Sequence, residues 1–293
     1  MRALVAVMCT AFALEAAPDA RASESGVLAR IKESGTVRIG YRENAAPFSW
    51  STAGASPRGY SIDLCLAIVE DLSKAAGKPL RVEYRMVTPE SRLDMVTQGR
   101  IDLECGSTTV TEERQARVAF SPLIFVGGTR LLVKRGNAVY SLRDLSGKTV
   151  VAVAGTTNAR ALLAQAGRTR DIRLRTTRGY EEAVTMLDTE NADALAADDV
   201  LLAGLLAERR WQDRFIVVGD PLTREPYAIA FPRDDPALAV AVNGTFVRLA
   251  TSADLRRIYG KWFLQPLPTG ATLGLPMGAH LSSVFKDLGL PPE

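Results

Sequence analysis

The sequence predicts an α/β protein of two lobes, each with a central sheet flanked by helices. Strand and helix patterns alternate over residues 36–104, the alternation restarts at residue 149, and two extended segments join the blocks. A chain of 293 residues, 47% hydrophobic and 24% charged, is long enough for two globular domains. This composition excludes a disordered chain, a collagen and a coiled coil.

The first block begins with a predicted strand over residues 36–41, in which apolar and polar residues alternate. Ser61 is predicted to cap a helix whose apolar residues keep helical spacing as far as Leu72, with a stop signal at Gly77. A strand, a short helix and a strand follow, over residues 80–86, 90–98 and 101–104. Such alternation is typical of a parallel sheet covered by helices.

The second block repeats this pattern. Strands are predicted over residues 149–154, 172–176 and 194–197, and the helices that follow them over residues 158–166, 180–187 and 200–208. Candidate crossings between the lobes are residues 131–136 and 221–226, and a further strand is predicted over residues 227–231. Two crossings would let the lobes close on a ligand about a hinge. The predicted segments are a signal peptide (1–22), a first lobe (27–128 and 227–268), a second lobe (129–226) and a carboxyl-terminal tail (269–293).

The amino end has the layout of a cleavable signal peptide. Met1 and Arg2 precede an apolar run over residues 3–14, and Ala20-Arg-Ala22 offers a small-x-small cleavage site before Ser23. Twelve residues are too few to cross a membrane as a helix. We therefore expect a periplasmic protein; the alternative is a buried amino-terminal helix.

Charge and residue usage exclude several function classes. The net charge of +3 is too small for general polyanion binding, so nucleic acid is not an expected partner. A single histidine, His280, and three cysteines leave almost nothing for nucleophilic catalysis or a transition-metal site. We expect a binding protein with no cofactor rather than an enzyme.

Two cysteines remain after cleavage, Cys65 in a predicted helix and Cys105 after a predicted strand. An even pair in an oxidising compartment favours a disulfide. Two separate buried thiols are the alternative, because sequence alone does not place the two Cα atoms.

The candidate binding segments lie after predicted strands, where ligands bind in an open α/β sheet. Residues 105–109 and 155–158 combine glycine, hydroxyls and main-chain N–H groups, and each precedes a predicted helix. The first of these helices is predicted to be capped by Thr111. Such turns suit an anion such as a carboxylate, one in each lobe.

Charged residues beside these segments suggest what the ligand carries. Arg42, Arg92 and Arg114 each follow a predicted strand of the first lobe, and guanidinium groups bind carboxylates bidentately. In the second lobe Asp198 ends a predicted strand and could pair with an ammonium group, whereas Asp199 could simply cap the next helix. Any single arginine could instead be an ordinary surface residue. Together these charges complement an amino acid with an acidic side chain.

Nine strings of residues add a resemblance to this reading: 40–44 (GYREN), 46–50 (APFSW), 59–61 (GYS), 104–109 (ECGSTT), 114–115 (RQ), 124–125 (IF), 128–132 (GTRLL), 198–204 (DDVLLAG) and 261–263 (KWF). Together they resemble the periplasmic glutamate/aspartate-binding proteins of ABC importers, members of the family 3 extracellular solute-binding proteins. The similarity covers residues 27–268, and the ECGSTT string is specific to the acidic-amino-acid subgroup. The resemblance implies a type II periplasmic binding protein fold with two hinge strands, which delivers L-glutamate or L-aspartate to the membrane subunits of an ABC permease.

The resemblance also implies residue roles. Arg114, Thr109 and Thr156 would hold the α-carboxylate, while Ser107 and Asp198 would take the α-ammonium group. Arg42 and Arg92 would bind the side-chain carboxylate, and Thr157 would add a hydroxyl or N–H group.

Two positions depart from the family pattern at the side-chain end of the ligand. Pro89 stands where relatives have a serine, and Tyr180 stands where relatives have a histidine. Proline offers no donor, and the tyrosine hydroxyl donates without a charge. The preference between glutamate and aspartate, or a shift to glutamine or asparagine, therefore stays open.

Alternative readings are a receptor of this fold for a neutral polar amino acid or a dicarboxylate, and a periplasmic enzyme resembling cyclohexadienyl dehydratase. Such an enzyme would need a general acid in the cleft, and no carboxylate other than Asp198 stands out. A sensor protein is an alternative to the permease as the partner that reads closure.

Overall fold

The computed structural model describes residues 26–52, 54–166 and 172–292. The predicted signal peptide and its cleavage site lie outside these residues. The strands, in chain order, are β1 Thr36–Tyr41, β2 Asn44–Ala45, β3 Ser49–Trp50, β4 Arg81–Met86, β5 Leu103–Thr109, β6 Ala119–Phe120, β7 Phe125–Gly127, β8 Thr129–Lys134, β9 Thr149–Val153, β10 Arg173–Thr177, β11 Ala194–Asp198, β12 Phe215–Val218 and β13 Glu225–Phe231. The helices are α1 Val27–Ser34, α2 Tyr60–Ala76, α3 Arg92–Thr97, α4 Glu112–Gln115, α5 Thr157–Ala166, α6 Tyr180–Asp188, α7 Asp199–Arg209, α8 Pro236–Thr251, α9 Asp254–Phe263 and α10 Ala279–Asp287, with a 3₁₀ turn over Leu142–Leu145.

Two mixed sheets with helices on their faces form the two lobes, which confirms the predicted fold class. The first sheet has the order β4-β1-β5-β13-β6, with β7 also paired to β13. The second has the order β10-β9-β11-β8-β12. The chain passes from the first sheet to the second between β7 and β8, and returns between β12 and β13. Strand β13 therefore belongs to the first sheet although the whole second sheet precedes it in sequence.

Buried aromatic rings pack where the chain crosses between the sheets. The Phe48 ring lies 5.2 Å from that of Phe125 and 5.1 Å from that of Tyr227, centroid to centroid. Phe125 also stacks on Phe263 of α9 at 4.9 Å. These rings join residues from β7, β13 and α9, so the start of the return strand rests on a rigid apolar base.

The disulfide between Cys65 and Cys105 is present and links α2 to β5, which confirms the bonded alternative. Both residues are fully buried. The bridge fixes the strand that carries Ser107 and Thr109 against the longest helix of the first lobe.

Four local predictions were wrong. Strand β5 continues to Thr109 rather than ending at residue 104, because β13 pairs with it antiparallel as far as Thr109. Ser61 lies inside α2, where its hydroxyl donates to Gly106 O at 2.6 Å instead of capping the helix. The candidate crossing at residues 131–136 lies in β8 and the turn after it, inside the second sheet, because the chain crosses between β7 and β8 at residue 128. The predicted carboxyl-terminal tail contains α10, in which Leu281 and Phe285 are buried while His280 is exposed.

Among the residues that the structure describes, no helix has both the length and the apolar composition needed to span a lipid bilayer.

Candidate functional site

The three arginines are buried, which excludes the surface alternative for each of them. Arg42 follows β1 directly, Arg92 is the first residue of α3, and Arg114 lies in α4. Their exposed fractions are 3%, 3% and 5%. Thr111 caps α4 as predicted, because its hydroxyl accepts from the N–H of Arg114 at 3.2 Å. Buried guanidinium groups need anionic partners, so this face of the first lobe is prepared for negative charge.

Burial perturbs the guanidinium groups of Arg42 and Arg114 without neutralising them. Burial and the charge of Arg92 lower the pKa of Arg42 to about 10. The pKa of Arg114 is lowered to about 10 by burial and by the charges of Arg92 and Arg160. Arg42 and Arg114 therefore stay cationic at neutral pH, and the repulsion among the guanidinium groups is relieved by an anion placed among them.

Glu104 lies beside the arginines and was not predicted from the sequence as a site residue. It is fully buried, its Oε2 accepts from the Thr108 hydroxyl at 2.5 Å, and its charge acts on both Arg42 and Arg114. A Cβ on Gly106 would lie 2.4 Å from Glu104 Oε1 and 2.9 Å from Arg42 Cγ. The glycine of the ECGSTT string therefore leaves room for this carboxylate next to Arg42.

The second lobe contributes Asp198 and Tyr180. Asp198 ends β11 with 4% exposure, and its Oδ1 accepts from Asn158 Nδ2 at 2.6 Å while its Oδ2 accepts from the Tyr227 hydroxyl. Burial and the charge of Glu225 raise the pKa of Asp198 to about 7. Tyr180 opens α6 and is buried; burial and the charge of Asp198 raise its pKa well above the ordinary value. The charges of Arg42 and Arg92 also reach Tyr180, so residues of both lobes meet here.

The hydroxyl protons of the three candidate threonines are already donated to acceptors within the protein. Thr109 and Thr157 both donate to Glu225 Oε2, at 2.7 and 2.6 Å. The Thr156 hydroxyl donates to Val153 O at 2.6 Å and accepts from the N–H of Ala159 at 3.2 Å. These threonines therefore offer main-chain N–H groups, rather than hydroxyl protons, to an anion.

The Arg92 side chain is hydrogen-bonded to the main chain of Ser107. Arg92 Nη1 donates to Ser107 O at 3.2 Å, and Arg92 Nε is buried without a hydrogen-bond partner. Ser107 itself is 5% exposed. An unpartnered buried N–H group is unfavourable unless a ligand oxygen accepts from it.

The lobes touch across the site. Arg114 Nη2 donates to Gly155 O at 3.4 Å, and Arg160 pairs with Glu113 at 2.5 Å. A Cβ on Gly204 in α7 would lie 2.0 Å from Ala46 O in the first lobe. The structure thus brings all nine predicted binding residues to one region that both lobes enclose.

Sequence reasoning missed Glu225 and Tyr227, and it placed Asn158 in a candidate binding segment without giving its side chain a role. Glu225 and Tyr227 are two residues apart on β13 and so share a face of the sheet. That alternation at the start of the return strand is the signal that could have found them. Among the described residues, no group of three or more histidine, cysteine, aspartate or glutamate residues could hold a metal ion.

Comparison with known proteins gives one consistent result. Residues 37–265 match the family described as bacterial extracellular solute-binding proteins, family 3. The chain is similar to an L-glutamate/L-aspartate-binding protein of Pseudomonas aeruginosa, with 38% identity over 98% of this chain and 97% of that protein. It is also similar to a glutamate/aspartate import solute-binding protein of Escherichia coli, with 33% identity over 94% and 92% of the two chains. The solved structure of an ancestral arginine-binding protein bound to arginine superimposes with a TM-score of 0.71, at 27% identity over 78% of this chain and 98% of the other.

Proposed function

Because the chain belongs to the bacterial extracellular solute-binding proteins of family 3, we propose that it binds an acidic L-amino acid between its lobes and delivers it to an ABC permease. The candidate ligands are L-glutamate and L-aspartate. The Pseudomonas aeruginosa and Escherichia coli relatives are named for these two ligands and cover nearly the whole chain.

One observation carries the choice of ligand class. Three buried guanidinium groups of the first lobe, one of whose charges is offset by the buried Glu104, lie in one electrostatic cluster with a buried aspartate of the second lobe, Asp198. An acidic amino acid has two carboxylates and one ammonium group, which matches this pattern of charge. A neutral amino acid would leave one site for a carboxylate unfilled among buried cations, which is unfavourable.

The proposed contacts follow the placement of the residues. Arg114, with Thr109 and Thr156 beside it, binds the α-carboxylate through its guanidinium group and main-chain N–H groups at the start of α5. Asp198 and Ser107 bind the ammonium group. Arg42 and Arg92 bind the side-chain carboxylate, with the Tyr180 hydroxyl and the main-chain N–H of Thr157 nearby.

The site and the relatives also support a binding role in the periplasm. The two relatives are binding proteins by name, and we infer that this chain performs no chemistry on its ligand. Export would require the signal peptide predicted over residues 1–22, whose removal is testable by amino-terminal sequencing of the secreted protein. We propose lobe boundaries at residues 128/129 and 226/227, the second of which falls two residues inside β13.

Calorimetric titration of the ligand-stripped protein with L-glutamate, L-aspartate, L-glutamine and succinate tests the proposal. We expect one-to-one binding of glutamate or aspartate, and a loss of about 3–5 kcal/mol of binding free energy in Arg92→Ala, because a buried charge pair loses one partner. Arg100→Ala removes an exposed arginine of the same lobe and is the matched control. Binding of glutamine or succinate in preference to both acidic amino acids would refute the ligand assignment, and turnover of prephenate or arogenate would refute the non-enzymatic role.

A further inference from the structure

Glu225 is a buried carboxylate at the point where the chain returns to the first sheet. It is the first residue of β13 and is 2% exposed. Three hydroxyls donate to it at short distance, Thr109 and Thr157 to Oε2 at 2.7 and 2.6 Å and Thr223 to Oε1 at 2.6 Å, and the Thr129 hydroxyl is a weaker fourth donor at 3.5 Å. Thr109 comes from the first lobe and Thr157 from the second, so one carboxylate receives a hydrogen bond from each.

These bonds determine what the two threonines can offer a ligand. A threonine hydroxyl has one proton and two lone pairs. Because the protons of Thr109 and Thr157 are directed at Glu225, the remaining lone pairs can only accept hydrogen bonds. The two hydroxyl oxygens are 3.4 Å apart, one from each lobe. A cationic group with several N–H donors suits such a pair of acceptors, whereas a carboxylate does not.

The charges nearby agree with this reading. Asp198 is a buried carboxylate of the second lobe in this region, and the charge of Glu225 acts on it. A chain of hydrogen bonds joins them, since Asn158 Nδ2 donates both to Asp198 Oδ1 at 2.6 Å and to Thr129 Oγ1 at 2.7 Å, and the Thr129 hydroxyl lies 3.5 Å from Glu225 Oε1. Two carboxylates in one buried region repel an anion that brings no positive charge.

We propose that Glu225 makes the site require an ammonium group, by taking the hydroxyl protons of Thr109 and Thr157 and adding a second negative charge beside Asp198. This inference rests on the proposed function, because it concerns the same site. Glu225 is a specificity-determining residue that acts through the two threonines. It excludes dicarboxylates, which the three arginines alone would accept.

The test compares L-glutamate with glutarate, the same carbon skeleton without the ammonium group, in the full mature protein. Each dissociation constant is measured by calorimetry, with glutarate measured by competition where its binding is weak. In Glu225→Gln the preference for glutamate over glutarate is expected to fall by a factor of about ten to a hundred, the range of one charge-assisted hydrogen bond. Glu225→Asp keeps the charge and is expected to keep most of the preference.

Glu113→Gln is the matched control, since it makes the same chemical change in an exposed pair with Arg160 across the lobes. It is expected to change both dissociation constants by one common factor. Both ligands are measured on the same preparation, so a partly unfolded variant does not alter their ratio.

The outcomes separate this inference from the proposed function. Equal weakening of both ligands in Glu225→Gln, or no change, would overturn the inference and leave Glu225 as a contact that holds the lobes together. If the wild type binds another amino acid instead of glutamate or aspartate, the proposed ligand is wrong, and the same comparison with that amino acid and its deamino analogue still decides the role of Glu225. Binding of no amino acid at all would overturn both.

Discussion

Replacing Asp198 by asparagine is expected to stabilise the ligand-free protein at pH 8 while abolishing amino-acid binding. Burial and the charge of Glu225 raise the pKa of this carboxyl from 3.8 to about 7. Each unit of pKa corresponds to about 1.4 kcal/mol, so the ionised carboxylate lowers the free energy of unfolding by roughly 4 kcal/mol at most above pH 7. The asparagine amide can still accept from Asn158 and donate to the Tyr227 oxygen, so Asp198→Asn removes the charge and leaves only the Tyr227 hydroxyl proton without its acceptor.

The pH dependence of this effect follows from the same values. Between about pH 4 and pH 7 the folded protein holds a proton at Asp198 that the unfolded chain has lost, so rising pH lowers the stability of the wild type. Asparagine does not titrate, and the advantage of Asp198→Asn therefore grows over this interval and levels off above pH 7.

Thermal unfolding of the wild type and the Asp198→Asn variant at pH 5, 6 and 8 measures the difference in stability between them. Bound ligand is removed first, because a ligand would stabilise the wild type alone. Asp199→Asn is the control, since this neighbouring carboxylate is partly exposed and accepts from the N–H of Gly128. The control is expected to raise the midpoint much less than Asp198→Asn does, because the charge of Asp199 is only a minor cause of the raised pKa of Asp198. An Asp198→Asn protein that is less stable than the wild type at pH 8, or a difference that does not vary with pH, would refute the reasoning.

Three further predictions concern binding, the disulfide and closure. Amino-acid affinity is expected to fall by up to about tenfold per pH unit below pH 7, because the ammonium group needs the ionised form of Asp198. Calorimetric titration in two buffers of different ionisation enthalpy should also reveal proton release on binding. Removing the disulfide in Cys65→Ala/Cys105→Ala is expected to lower the free energy of unfolding by about 4 kcal/mol, from the 40-residue separation, as measured by urea unfolding at unchanged pH. Gly204→Ala is expected to weaken ligand binding without lowering the unfolding midpoint, because a Cβ at this helical position would lie 2.0 Å from Ala46 O across the lobes. Small-angle scattering with saturating ligand should show a more open molecule. An unchanged affinity would contradict the close approach of the two lobes at this position.

The residues whose positions were predicted correctly are those that depend on the pattern of neighbouring residues in the sequence. Arg42 follows β1 and Asp198 ends β11, and the ends of both strands could be located because apolar residues stop there. The two-lobed α/β fold follows from the same kind of information, since alternation of strand and helix is a property of neighbouring residues.

The positions that were missed depend on contacts between distant parts of the chain. Thr109 was predicted to lie in a loop, but its strand is prolonged by β13, which begins 116 residues later at Glu225. The burial of Glu225 and the direction of the Thr157 hydroxyl depend on the same return strand. Periodicity does not show which strands pair or where a hydroxyl proton points, and these facts become available only from the folded chain.

The division of the site between the lobes links specificity to closure. All three guanidinium groups belong to the first lobe, and Asp198 belongs to the second, so a ligand reaches both only when the lobes come together. A dicarboxylate could satisfy the arginines of the first lobe but would bring nothing that attracts Asp198. It would therefore bind without the interaction that draws the second lobe in, and the repulsion from Glu225 would add to this deficit. For an acidic amino acid, the ammonium group supplies the contact with the second lobe. The ammonium group, which distinguishes an amino acid from a dicarboxylate, is therefore also the group that stabilises the closed arrangement of the lobes.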